Sequence, residues 1–103
     1  MTLPIDIDRA EIEAYCKKWK IIEFSFFGSI LRDDFGPDSD VDVLVVFDPN
    51  EKISAFDFID AEEELSRLLK RPVDLVERIA VERSRNPIRR QHILDSAMYY
   101  YVA

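Results

Sequence analysis

Three aspartates and one glycine–serine pair are the residues in this sequence best placed to do chemistry. Asp40 and Asp42 stand two apart where the apolar run 41–47 (VDVLVVF) begins. In an extended strand, residues i and i+2 share a face. Both carboxylates then point the same way, with Cα atoms roughly 7 Å apart. Like charges this close repel and raise one pKa unless a cation lies between them. A hard cation such as Mg2+ suits them, because it takes a few carboxylates and fills its shell with water and phosphate oxygens. Asp74 lies in a second short apolar run, 73–76 (VDLV), which needs no acid for packing. If that run pairs beside the first, Asp74 joins the cluster. Three carboxylates around two metal ions suit phosphoryl or nucleotidyl transfer: one ion activates the attacking hydroxyl, and the other holds the triphosphate and its leaving group.

Gly28-Ser29 offers the complementary half, where a strand gives way to a helical turn. Glycine lets a phosphate approach the backbone closely, and the N–H groups opening the turn point at an anion. The Ser29 hydroxyl can bond a β- or γ-phosphate. Arg32, one turn on, can supply positive charge or hold the loop. Singly these features are weak, since Gly-Ser pairs are common in loops and strand-edge aspartates are usually just solvated. The ordered set Gly28-Ser29, Arg32, Ser39-Asp40-Val41-Asp42 and a distant Asp74 is much more specific.

The elements that must position this set alternate between helix and strand. Asp8 and Glu11 resemble a capping box, and Ile12, Tyr15, Cys16 and Trp19 follow at helical spacing, so residues 8–19 are expected to be an amphipathic helix with Cys16 and Trp19 in the core. Residues 21–27 (IIEFSFF) alternate as a strand does. Residues 41–47 are apolar on both faces after Asp42, which suggests a central strand, and Asp48-Pro49-Asn50 closes it as a turn. Residues 53–70 are expected to form the longest helix. Its apolar stripe is Ile53, Phe56, Ile59, Leu65, Leu68 and Leu69, and Glu62, Glu63 and Glu64 are solvated. Lys70 and Arg71 suit its negative end, and Pro72 stops it. Asn86-Pro87 caps a last helix, in which His92, the lone histidine, is a partly exposed residue. Residues 98–102 are a β-prone aromatic run, either an edge strand or an interface.

These residues, FFGSILRDDFGPDSDVDVLVVF with PVDLVE downstream, resemble the nucleotidyltransferase superfamily that includes DNA polymerase beta, and within it the minimal nucleotidyltransferase (MNT) antitoxins. The resemblance is close over residues 24–77. It implies an α/β (α+β) fold, a small mixed β-sheet flanked by helices. It implies metal-binding, catalytic roles for Asp40 and Asp42, a third-carboxylate role for Asp74 as ligand or general base toward the acceptor hydroxyl, and triphosphate binding by Gly28 and Ser29. It implies two Mg2+ ions, with ATP as nucleotide donor. It also implies a partner: MNT antitoxins pair with HEPN toxins, small helical ribonucleases, and can transfer AMP to a tyrosine of the toxin.

Composition narrows the alternatives. The 103 residues fit one domain. The formal charge of -7 opposes direct nucleic-acid binding and suits cations or a basic protein partner, hence a hetero-oligomer. No apolar run approaches a membrane span, Asp6 and Asp8 stand where a signal peptide wants positive charge, and the single Cys16 allows no intrachain disulfide. A cytoplasmic protein is expected. A calcium loop from Asp38 fails, because Val43 and Pro49 occupy its glycine and glutamate positions. With only Gly28 and Gly36 there is no Walker loop. The arginines at 78, 83, 85, 89 and 90 are either a solvated face or a contact for triphosphate or an acidic partner. Two other functions stay open: neutralisation of the toxin by stoichiometric binding, motivated by the extra negative charge of Asp33 and Asp34 beside the loop, and nucleotidyl transfer to a small molecule or RNA.

Overall fold

The computed structural model describes residues 4–32 and 35–103. Asp33 and Asp34 therefore lie outside the described residues. In chain order the elements are α1 (Arg9–Trp19), β1 (Ile21–Phe27), a 3-10 turn (Gly28–Leu31), β2 (Val41–Phe47), α2 (Ala55–Leu69), β3 (Val73–Glu77), α3 (Arg78–Glu82), α4 (Pro87–Ser96) and β4 (Met98–Val102). The strands form one mixed sheet in the order β3-β2-β1-β4. β1 is antiparallel to β2 and to β4, whereas β2 and β3 run parallel. The expected small mixed sheet with flanking helices is what forms. β2 is an inner strand, as its two apolar faces require, and the aromatic run 98–102 is an edge strand.

Strand alternation divides the core in two. Val41, Val43, Val45, Val73 and Leu75 face α1 and α2, where they pack with Phe24, Phe26, Ile12, Cys16, Ala61 and Leu65. The Tyr15 hydroxyl donates to the Ala61 carbonyl at 2.8 Å and ties those two helices together. The opposite face carries Phe27 and Leu44, covered by Val81 of α3 and Ile93 of α4. The existence of α3 was not expected from sequence. Cys16 is fully buried, as its place on the helical stripe predicts, and burial pushes its thiol up to about 12.

Helix ends follow the capping logic, with additions. Asp8 accepts from the Ala10 and Glu11 amides at 3.0 and 3.4 Å, and Asn86 accepts from Arg89 with Pro87 at the first helical position. α2 opens on a reciprocal box between Ser54 and Asp57 (3.0 and 3.2 Å). That box escapes a search for Glu or Gln at its third position.

Three expectations for α1 and α2 are corrected. Phe56 and Ile59 are not core residues: they are 81% and 50% exposed, and Phe58 and Ala61 take the inward positions instead. Glu62 and Glu64 are not simply solvated. Glu64 receives Lys18 Nζ and, at 3.0 Å, Trp19 Nε1, which also leaves Trp19 only partly buried. Glu62 Oε2 accepts from the Leu75 amide at 2.9 Å, and Ser66 Oγ, one turn on, accepts from the Val73 amide at 3.1 Å. These amides lie on the open edge of β3, so α2 closes that edge with side chains. Arg71 does not serve the helix end. Its Nη1 donates to the Gly36 and Ser39 carbonyls at 3.1 and 3.2 Å, and its guanidinium lies 4.7 Å from the Phe35 ring centre.

Candidate functional site

The register of the parallel pair sets Asp42 of β2 directly beside Asp74 of β3. Val41 and Val43 enter the core beneath α1 and α2, so by alternation both aspartates occupy the opposite face. Across β2, Asp42 is also the register partner of Phe27, the last residue of β1. Asp40 precedes β2 in the loop that Arg71 clamps, and its side chain is exposed. The elements thus supply a close strand-to-strand pair, Asp42 and Asp74, with Asp40 as neighbour. Among the described residues no three His, Cys, Asp or Glu side chains converge as a finished metal centre. The trio expected from sequence is here a pair with an adjacent third member.

The Gly28 turn is built against this pair. Gly28 adopts φ +75°, in the left-handed region that side chains disfavour. A Cβ at that position would overlap Asp42 Oδ2 and approach its Cγ at 3.1 Å. Glycine is therefore demanded both by the backbone angle and by the carboxylate lying over it. The Ser29 N–H pulls on the Asp42 carboxylate and lowers its pKa. The Ser29 hydroxyl donates weakly to the Asp40 carbonyl at 3.4 Å, so both strands of the turn are stitched together around Gly28. Arg32 follows the turn, its N–H bonded to the Ser29 carbonyl at 2.9 Å.

Electrostatics mark Asp42 as the strained member. Burial pushes its carboxyl above the usual carboxylate value, and the charges of Asp74 and Asp40 push the same way, against the opposing pull of the Ser29 N–H and the Arg32 guanidinium. A half-buried carboxylate facing a second one across 4.7–4.9 Å of strand spacing, on the order of that distance in any sheet, is a site that gains from a cation. All nearby donors are oxygens, which suits Mg2+ rather than a soft metal.

Sequence reasoning singled out Gly28, Ser29, Arg32, Asp40, Asp42 and Asp74 but not the residues that hold their elements in place. Arg71 fixes the loop before Asp40, and Glu62 with Ser66 fixes the amides on either side of Asp74. The Ser-x₃-Glu spacing reversed, Glu62 then Ser66, was visible as one helix face, but nothing in sequence said which strand it met.

Comparison with known proteins agrees with this geometry. The family model for the nucleotidyltransferase domain matches residues 10–102. A Methanocaldococcus jannaschii protein, provisionally named a protein adenylyltransferase, is 33% identical over 94 residues, covering 91% of each chain. A toxin–antitoxin crystal structure with AMP-PNP superposes with a TM-score of 0.70 at 18% identity, over 94% of this chain and 75% of that one. A tri-AMPylated HEPN toxin of Shewanella oneidensis in complex with MNT antitoxin gives 0.60 at 15% identity, over 92% of this chain and 70% of that one. At such identities these structures share the fold, and the family match over most of the sequence gives the conclusion: the chain belongs to the nucleotidyltransferase domain family.

Proposed function

We propose that this chain is an antitoxin that transfers AMP from Mg-ATP to a tyrosine hydroxyl of a cognate HEPN ribonuclease toxin, in the reducing cytosol. The observation that carries the reading is the register pairing of Asp42 with Asp74 beside the Gly28 turn. The kinship with a protein adenylyltransferase and the toxin–antitoxin structures of the same fold support the donor and the partner. The acidic chain, at -7, also suits docking to a basic ribonuclease.

Each residue then has a task. Asp40 and Asp42 would hold Mg2+, which supplies charge neutralisation of the triphosphate and lowers the cost of ionising the acceptor hydroxyl. The Ser29 amide bonds a phosphate oxygen and orients the triphosphate, and Arg32 adds positive charge at the turn. Asp74 stands on the acceptor side and takes the proton of the tyrosine hydroxyl. The tyrosine oxygen attacks the α-phosphorus, a new P–O bond forms, and pyrophosphate leaves. An anionic group added beside the toxin's active site repels RNA phosphate.

The test is incubation of the chain with the active cognate toxin, labelled ATP and Mg2+. Label on a toxin tyrosine is expected. The variant Asp40→Asn with Asp42→Asn should abolish both labelling and neutralisation. Full neutralisation by that double variant would instead mean that the chain works by stoichiometric masking.

A further inference from the structure

The sheet face that carries Asp42 and Asp74 continues into a cavity of about 140 Å3 between the sheet, α3 and α4. Its floor is Phe27 and Val76, its walls include Val81 and Ile93, and Arg89 and Arg90 stand at its rim. Phe27 is the register partner of Asp42, and Val76 follows Asp74 by two residues on the same face. The cavity therefore begins about one side-chain row, ~7 Å, from the carboxylate pair. Its size is comparable with the roughly 150 Å3 at which an apolar cavity accepts an aromatic ring.

Two of the chain's arginines, Arg89 and Arg90, line the cavity. Residues 78–90 hold five arginines and one acid, Glu82, in a chain of net charge -7. Among the described residues the ion pairs are Arg9–Glu13 and Lys18–Glu64, so neither Arg89 nor Arg90 is neutralised by a carboxylate. Arg90 is instead pinned at the rim by a 2.9 Å bond from Nη1 to the Ser84 carbonyl. An apolar floor with an aromatic ring and a paired cationic rim is a combination that takes a nucleobase and its phosphate together.

We infer that this cavity is an acceptor-side subsite for an AMP group already attached to the toxin, with the base over Phe27 and Val76 and the phosphate at Arg89 and Arg90. This rests on the adenylyltransferase reading above. A tyrosine is a neutral acceptor. After one transfer the acceptor carries a phosphodiester, and that negative charge must approach Asp40, Asp42 and Asp74. The donor's triphosphate comes with its own cation, but the modified acceptor does not, so the protein must supply the counter-charge. The arginines do so beside the carboxylate that receives the acceptor. In the second step a ribose hydroxyl of the bound AMP attacks the α-phosphorus of another ATP. The new P–O bond forms, the bond to pyrophosphate breaks, and the hydroxyl proton passes to Asp74.

Mass spectrometry of the intact toxin, after reaction with ATP and Mg2+, reads the number of AMP groups. For the unaltered chain several are expected. For Arg89→Ala with Arg90→Ala, the ratio of singly to multiply modified toxin should rise at least tenfold, and Arg67→Ala, on the other side of the sheet, should leave the distribution as it was. A variant ladder matching the wild type, a wild type that stops at one AMP, or a rise confined to the ATP KM (a donor-side role) would each overturn the subsite. Calorimetry of AMP with the chain alone decides the matter independently of the toxin: binding at least tenfold weaker in the double variant is expected, and equal binding overturns it. Absence of any AMP on the toxin would count against the adenylyltransferase reading instead, and the calorimetric result would then judge the subsite.

Discussion

Asp42 and Asp74 are register partners on adjacent parallel strands, and the Asp42 carboxylate is half-buried and held above its ordinary pKa by burial and by that neighbour. Such a pair costs stability while it lacks a cation. Asp42→Asn keeps the shape yet removes the repulsion. The ligand-free variant should melt a few degrees above the wild type at neutral pH, at roughly 4–8 °C per kcal/mol for a chain of this size, while losing transfer activity. Mg2+ with a non-hydrolysable ATP analogue should raise the wild-type Tm and leave the variant's unchanged. Thermal scans in the four combinations check this, and an unaltered or lower Tm for the free variant would refute the account of strain.

Gly28 bears on the same carboxylate from the other side. At φ +75°, any L-residue would incur about 1–2 kcal/mol of backbone cost, and its Cβ would collide with Asp42. Gly28→Ala should therefore lower the Tm modestly but reduce activity on the order of 100-fold, because small displacements of a catalytic group cost that much. Activity within a few-fold of wild type would show that Asp42 tolerates being moved.

Glu64 gives a pH dependence whose sign is fixed. Burial pushes its carboxyl up, but hydrogen bonds from Lys18 and Trp19 outweigh that and carry it below its ordinary value of 4.5. A lowered folded pKa means the stabilisation is complete above about the unfolded value and is lost as pH falls through the folded one. The pair is partly exposed, so roughly 0.2–1 kcal/mol is at stake. Wild type should out-melt Glu64→Gln at pH 7, with the difference shrinking as pH falls below the ordinary carboxylate range, and Trp19 fluorescence should change over the same range. A difference independent of pH would mean packing, not charge, is what Glu64 contributes.

The strands were legible because their apolar periodicity has few competing explanations. Residues 41–47, apolar on both faces after Asp42, suggested a covered inner strand, and β2 is one; the spacing also suggested one shared face for Asp40 and Asp42, but Asp40 lies in the loop before the strand. The register that sets Asp42 beside Asp74 was not legible, since parallel pairing joins segments separated by a whole helix. α2 was found, but its stripe was assigned with Phe56 and Ile59 because helical spacing admits two adjacent faces, and only packing selects between them. Residues 78–82 form a helix too short for periodicity to register. Glu62 read as solvated, and Ser66 went unremarked, for a related reason: a polar side chain that bonds a strand edge and one that bonds water have the same sequence signature.

Those two side chains support the final prediction. β3 is an edge strand, held on one side by β2 alone. On its open side the Val73 and Leu75 amides, which bracket Asp74, end on Ser66 Oγ and Glu62 Oε2. Removing an acceptor from a part-buried amide costs about 1–3 kcal/mol, and Glu62→Ala should destabilise the chain by that order. The strand segment it frees carries Asp74, which the proposed function sets on the acceptor side, rather than the Gly28 turn. The variant should therefore lose kcat while the KM for ATP stays near wild type. Glu62→Gln keeps an amide oxygen as acceptor and should recover most of both stability and kcat. If Gln fails to rescue, or if the KM for ATP rises as steeply as kcat falls, then Glu62 acts through its charge or through the whole fold, and not by holding Asp74 in register with Asp42.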